Sequence, residues 1–139
     1  MPVLSRWFIK TALIYLVFAL VAGLVLAARP VLDLPAFLAT LDRTYVHLFT
    51  VGWLTQLIFG VAFWLFPRHS RERPYGDERG VRLSYFLLNA GLLLRAGAEP
   101  LQAWRPASAW GWTLAASALL QWLAGVVLAV YLWKRVKQK

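Results

Sequence analysis

Four apolar segments, each about as long as a lipid bilayer is thick, constrain this chain more than any other feature. They cover roughly residues 7–28, 43–66, 83–101 and 109–133. A helix needs roughly 20 mostly apolar residues to cross a hydrocarbon core about 30 Å thick. Each segment meets that length, and the connections between them are short. We therefore predict an all-α fold in which residues 1–139 form one membrane domain, a bundle of four transmembrane helices.

Prolines lie close to the boundaries of the four segments. Pro30 and Pro35 follow the first segment, Pro67 closes the second, Pro100 closes the third and Pro106 precedes the fourth. Proline lacks an amide hydrogen and disfavours helix continuation, so we predict a helix end at each position. The first segment is longer than the apolar part of a signal peptide, and we interpret it as a retained helix.

Composition agrees with a membrane protein and excludes several other classes. Hydrophobic residues make up 60% of the chain and charged residues 15%, too few to cover a water-soluble core. Cysteine is absent, which excludes disulfides and thiolate metal sites. The net charge of +9 does not indicate nucleic acid, because basic residues flank the apolar segments instead of forming a stripe with aromatic residues. The partner that this charge predicts is membrane lipid.

The positions of the basic residues predict the orientation in the membrane. Most lie at one side, namely Arg6, Lys10, Arg68, Arg71, Arg73, Arg79, Arg82, Lys134, Arg135, Lys137 and Lys139. The other side has only Arg29, Arg43 and Arg105. Because cytoplasmic loops carry the excess of Lys and Arg, we predict that both termini and the middle loop are cytoplasmic. The expected location is a bacterial cytoplasmic membrane, crossed several times.

Polar residues inside the apolar segments are costly in hydrocarbon and mark the places where function is expected. Six occur, and they fall into two layers when depth is counted at 1.5 Å per residue. The outer layer contains His47, Arg95 and Glu99, and the layer about 20 Å deep contains Gln56, Asn89 and Gln121. For the three amides, hydrogen bonds that fix helix packing are favoured over a conducting role.

The outer layer combines residue types that suit a haem. A neutral imidazole nitrogen of His47 can bind iron, and the guanidinium of Arg95 can meet the propionates. Two simpler interpretations stay open: Arg95 and Glu99 are four residues apart and can neutralise each other, and His47 can be hydrogen-bonded in the bundle. His69 lies about 33 Å further along the helix direction. One usable histidine permits a five-coordinate iron, or a six-coordinate iron with a second ligand from another subunit.

The second segment also carries a recognisable pattern. It reads YVHLFTVGWLTQLIFGVA from Tyr45 and closes with Phe66, Pro67 and Arg68; the third contains LLNAGLLLR followed by Glu99 and Pro100. Together these stretches resemble short stand-alone relatives of subunit I of haem-copper oxidases and nitric oxide reductases. The resemblance covers about sixty residues in the middle of the chain.

This resemblance implies a haem-binding or respiratory-complex-associated bundle, with His47 at the ligand position and Arg95 near the propionates. Glu99, one turn from Arg95, is counted with the candidate cofactor-binding residues. Relatives often carry a histidine where Tyr45 stands here, which places Tyr45 near the cofactor and puts a second metal ligand in doubt. Gly52 lets a helix or a flat macrocycle approach the backbone, helix packing being the commoner reason. The twelve helices of a full oxidase are absent, so reduction of oxygen by this chain alone is not expected.

Two functional hypotheses follow, and a third is less favoured. The first is a membrane b-type cytochrome-like protein that binds haem b through His47, as a homodimer, for electron transfer or binding of a diatomic gas. The second is a non-catalytic accessory subunit of a larger respiratory oxidase or nitric oxide reductase. A small transporter or channel is less favoured because the polar residues are too few to line a wet path. Enzymatic activity stays open, and the sequence favours a chain that is not an enzyme by itself.

Overall fold

The structure, a computed structural model, describes residues 1–67 and 75–136. In that part of the chain all regular structure is helical, with no strand, and the helices form four rods. The first rod is helix α1, Val3–Leu32. The third and fourth rods are α4, Arg79–Trp104, and α5, Ser108–Trp133. The predictions made for Arg68, His69, Arg71, Arg73, Lys137 and Lys139 lie outside the described residues.

The second rod, here called the composite helix, runs over Ala36–Leu65 and changes its winding along the way. It begins with a 3-10 turn, Ala36–Thr40, and continues as α2, Leu41–His47. A π-helical segment follows over Leu48–Thr55, and α3 completes the rod over Gln56–Leu65. The π-helical segment therefore starts directly after His47. π-Helical turns are rare and occur frequently at functional sites.

Among the described residues, three rods are long and apolar enough to cross a membrane: α1, the composite helix and α5. Helix α4 has the length but not the composition, since it carries Arg82, Arg95 and Glu99 along with Asn89. The structure thus supports an all-helical membrane protein. The crossing of α4 and the orientation of the termini remain predictions.

Two of the predicted helix ends are wrong. Helix α1 continues through Pro30 to Leu32 and stops where Asp33 takes a left-handed conformation with φ of 49°. Helix α4 continues through Pro100 to Trp104. A proline removes one hydrogen bond and bends a helix, but helices in membrane proteins tolerate it where neighbouring groups compensate. The ends near Pro67 and Pro106 agree with prediction.

The rods pack as two pairs with close backbone approaches. Helix α1 lies along the composite helix, and a Cβ placed on Gly52 would be 2.9 Å from the Tyr15 ring. Helix α4 lies along α5, and a Cβ on Gly91 would be 2.9 Å from the Ser117 carbonyl oxygen. The two pairs meet mainly where the composite helix packs on α4. Small residues commonly permit such approaches between membrane helices.

Arg135, just after α5, ties the two pairs together at one end. Its Nε donates to Pro67 O at 2.9 Å, Nη1 to Phe63 O at 2.9 Å and Nη2 to Phe66 O at 2.7 Å. These carbonyls lie in the last turn of α3 and in the two residues after it, where no amide of the same helix reaches them. A buried cation at a helix C-terminus also meets the negative end of the helix dipole.

Candidate functional site

His47 lies where the composite helix meets α4, at the opposite end of that rod from Arg135. It is the last residue of α2, and its side chain is 28% exposed. Its Nδ1 lies 2.9 Å from Arg43 O and 3.0 Å from Glu99 Oε1. Its Nε2 lies 2.5 Å from Arg95 Nη1. The structure therefore brings together the three residues that depth counting placed in one outer layer.

The partners of the imidazole determine its tautomer. Arg43 O and the Glu99 carboxylate can only accept hydrogen bonds, so the ring hydrogen must lie on Nδ1. A guanidinium can only donate, so Nε2 must present its lone pair to Arg95. The imidazole is then neutral: Nδ1 donates toward the Glu99 carboxylate, and Nε2 is the nitrogen that could bind a metal.

Glu99 is held on both oxygens. Oε2 accepts a hydrogen bond of 3.0 Å from the Thr44 hydroxyl, one turn before His47 on the same rod. Oε1 faces His47 Nδ1 and lies 3.9 Å from Arg95 Nη1. The carboxylate is 6% exposed, so two hydrogen bonds and a nearby cation are what make its burial tolerable. The link also fixes α2 against α4.

Arg95 is positioned by the α4–α5 pair. Its Nε donates to Ser117 Oγ at 3.3 Å, and that hydroxyl donates to Gly91 O at 2.7 Å. Gln121 Nε2 donates to the same hydroxyl at 3.0 Å. Because Gly91 has no side chain, α5 comes close enough for Ser117 to reach both partners. The bond to Ser117 thereby holds the Arg95 guanidinium beside His47.

A cavity of about 680 Å³ opens beside these residues. Its wall includes His47, Arg95 and Glu99 together with exposed Asp42 and Arg43 of the composite helix, and it is completed by Ala39, Thr40, Gln102, Ala103 and Leu114. Its lining mixes two cations, two carboxylates and one imidazole with short apolar groups. Such a lining suits a ligand that carries charged groups as well as an apolar body.

Two residues predicted beside a cofactor face elsewhere. Gly52 packs against Tyr15 of α1. Tyr45 also faces α1: its ring lies 3.1 Å from the position of a Cβ on Gly23 and stacks near Phe49 with centroids 6.0 Å apart. Neither residue lines the cavity. They belong to the face of the composite helix that packs on α1, so the site has three of the five predicted members.

The deeper amides do not form a common layer of hydrogen bonds. Gln56 is fully buried and reaches Phe8 O of α1 at 3.5 Å. Asn89 donates to Tyr85 O of its own helix at 2.8 Å, and Gln121 donates to Ser117. Only Gln121 is connected to the site. The packing interpretation fits Gln56, whereas the other two bond within their own helices.

Sequence analysis did not identify Thr44 and Ser117 as part of the site. Both are small hydroxyl residues, which are common in membrane helices and carry no specific signal by themselves. Thr44 could have been found by its position three residues before His47, on the same helical face. Ser117 depends on which helix packs beside α4, which the sequence does not show. Arg135 was counted only as a topological charge.

Comparison of the chain with protein-family models, curated proteins and solved structures finds no match. Within the described residues, no three His, Cys, Asp or Glu side chains converge to hold a metal ion. The described residues bring together one imidazole, a carboxylate 3.0 Å from its Nδ1 and a guanidinium 2.5 Å from its Nε2.

Proposed function

We propose that this chain is a membrane b-type cytochrome-like protein that binds haem b, with His47 as an axial ligand through Nε2. The observation that carries the proposal is the carboxylate-backed imidazole. A histidine that ligates a metal almost always donates its other ring N–H to a carboxylate or a backbone carbonyl. His47 Nδ1 has both kinds of acceptor, at 3.0 Å and 2.9 Å.

The other residues of the cavity fit the rest of a haem. Arg95 and Arg43 supply cations for the two propionates, and the cavity of about 680 Å³ opens directly beside the imidazole. Bound haem would supply a redox-active iron, for electron transfer or binding of a diatomic gas. The chain would hold the haem, keep the ring hydrogen of His47 on Nδ1 and neutralise the haem propionates. A second ligand, where one is present, would be His47 of another copy in a homodimer.

The proposal places the chain in a bacterial cytoplasmic membrane with both termini in the cytoplasm. The basic residues beyond the helix ends support this orientation. Crossing by α4 is supported by its length of 26 residues and by the pairing of its polar groups. Ser84 donates to Ala124 O of α5 at 2.7 Å, and Arg95 and Glu99 are bonded across the bundle. Paired groups of this kind are tolerated at membrane depth.

One observation favours a second candidate function. Both ring nitrogens of His47 are already bonded within the chain. In that arrangement His47 simply links the composite helix to α4, as expected of a non-catalytic accessory subunit that packs on a larger respiratory oxidase or nitric oxide reductase. Such a subunit would be colourless and would co-purify with a large complex, whereas the first candidate is a coloured homo-oligomer.

The test is the absorption spectrum of the purified protein before and after haem reconstitution. We expect a Soret band in the natural chain, its loss in His47→Ala, and its retention in His69→Ala, which removes the other histidine of the sequence. A band that survives His47→Ala excludes His47 as the ligand. No band after reconstitution of the natural chain removes the haem proposal and leaves the accessory subunit.

A further inference from the structure

We propose that Arg95 covers the coordinating nitrogen of His47 and that a ligand carrying carboxylates displaces it. The identity of the ligand rests on the proposed function, but the cover itself does not. The basis is the contact of 2.5 Å between Arg95 Nη1 and His47 Nε2. With Nδ1 protonated toward Glu99 and Arg43 O, Nε2 is the one ring atom able to bind a metal, and a guanidinium occupies it.

Ser117 is the positioning residue for this cover. Its hydroxyl donates to Gly91 O at 2.7 Å, which leaves its oxygen to accept from Arg95 Nε at 3.3 Å. A guanidinium is planar and presents its donors in a fixed geometry, so a restraint on Nε also directs Nη1. The Arg95 side chain, only 18% exposed, is thereby held against the imidazole at the edge of the cavity.

The chemistry of the contact indicates what can remove the cover. A guanidinium bonds more strongly to a carboxylate than to a neutral nitrogen, because both partners of that pair are charged. Glu99 already lies 3.9 Å from Nη1 but is engaged by Thr44 and His47, so the competing carboxylate must arrive with the ligand. An uncharged ligand of the same shape would have to break the Arg95 contact without a replacement.

The first experiment measures the cover without any cofactor. Diethyl pyrocarbonate modifies an imidazole nitrogen that has an accessible lone pair, and peptide mass spectrometry gives the rate at His47 separately from that at His69. We expect Arg95→Gln to raise the His47 rate about tenfold, the loss expected of a charge-assisted hydrogen bond. Arg105→Gln, at the exposed end of α4, is the matched control and leaves the rate unchanged.

Ser117→Ala is a second variant for the same measurement of the His47 modification rate, and it keeps the Arg95 guanidinium. We expect it to raise the His47 rate about threefold, less than Arg95→Gln does, since the guanidinium stays in place and loses only the 3.3 Å bond that positions it. This variant alone decides if Arg95→Gln does not fold. An unchanged His47 rate in Arg95→Gln, or in Ser117→Ala where that is the only folded variant, overturns the cover.

The second experiment tests whether the ligand must carry carboxylates, by comparing two ligands on two variants of the chain. Haem and haem dimethyl ester, whose propionates are esterified, are added separately to the natural chain and to Arg95→Gln. We expect the natural chain to load haem about tenfold faster than the ester, and Arg95→Gln to reduce that preference, with Arg43 retaining the remainder. Equal loading of the two by the natural chain overturns the displacement step. If neither loads in any variant, the haem proposal fails while the modification rates still report on the cover.

Discussion

Two arginines link the helix pairs at opposite ends of the composite helix, and they meet different kinds of partner. Arg135 is 3% exposed and donates to three backbone carbonyls at the end of α3. Arg95 is 18% exposed and meets an imidazole, a hydroxyl and, at 3.9 Å, a carboxylate beside a cavity. Both are guanidiniums within an apolar bundle, yet their hydrogen-bond partners differ in kind.

The two arginines differ in whether their partners have other hydrogen bonds in the absence of the guanidinium. Carbonyls at a helix C-terminus have no amide of their own helix to accept from, so Arg135 satisfies groups that would otherwise stay unpaired. The partners of Arg95 keep other bonds: Glu99 retains Thr44, and Ser117 retains Gly91 and Gln121. A guanidinium is therefore structural where it completes a backbone, and exchangeable where it joins side chains beside a cavity.

The largest predicted effect is at Arg135. Replacing it with methionine leaves three carbonyls without a donor and separates α5 from the end of α3, so we expect the free energy of unfolding to fall by about 3 kcal/mol. Reversible unfolding in mixed detergent micelles measures this change. The neighbouring Lys134→Met, at an exposed position, is the control and should change stability by less than about 0.5 kcal/mol.

The same measurement on Arg95→Met tests the comparison directly. Because its partners keep other bonds, we expect a smaller loss of about 1.5 kcal/mol. A loss at Arg95 as large as that at Arg135 would show that both guanidiniums are structural, and would contradict the distinction between the two ends.

The second prediction concerns the close approach that positions Ser117. A Cβ on Gly91 would lie 2.8 Å from Gln121 Cγ and 2.9 Å from Ser117 O, so Gly91→Ala should force α5 away at a cost of about 2 kcal/mol. The control is Gly97→Ala on the same helix, where an added Cβ meets no atom within 4 Å. That change should be neutral or slightly stabilising, because alanine favours the helix. Equal unfolding free energies for the two variants would exclude a tight contact at Gly91.

Much of the fold follows from the sequence because the length of an apolar segment and the depth of a residue within it are both obtained by counting along the chain. Apolar runs locate the four helices, and counting residues along two of them placed His47, Arg95 and Glu99 at one depth, where the structure brings them into contact. The helix ends predicted at Pro30 and Pro100 are wrong because the effect of a proline depends on what surrounds it. Membrane neighbours can compensate for the lost bond, and a sequence does not list neighbours.

Rotation about the helix axis is what the sequence could not supply. Depth counting says how far along a helix a residue lies, but not which rod it faces. Tyr45 and Gly52 lie close to His47 along the chain, yet both face α1. The π-helical winding of Leu48–Thr55 alters the angle between successive residues, so phases calculated for an α-helix do not apply across it.

The third prediction distinguishes the roles of the two carboxylates that line the cavity, Glu99 and Asp42. Glu99→Gln replaces the carboxylate that accepts from His47 Nδ1 with a neutral amide, and loss of the carboxylate that supports a metal-binding histidine weakens metal binding by about tenfold or more. Asp42→Asn alters a carboxylate of the same cavity that lies on the composite helix, and we expect haem retention to stay within about twofold of the natural chain. Retention is measured by dialysis against a haem acceptor. A larger loss for Asp42→Asn than for Glu99→Gln would mean that cavity charge, not support of the imidazole, governs binding.

The smallest predicted effect is at Tyr45, where relatives suggested by the resemblance often carry a histidine. Tyr45→His places a second imidazole only two residues from His47, so a sequence-based interpretation expects a change in iron coordination. Its ring, however, faces Gly23 of α1, on the side of the composite helix away from Arg95. Reaching the cavity would require rotation of the rod and loss of its packing on α1, so we expect the haem spectrum and the His47 modification rate to stay unchanged. A shift to a six-coordinate spectrum would show that the composite helix rotates, and would remove the separation between its packing face and its site face.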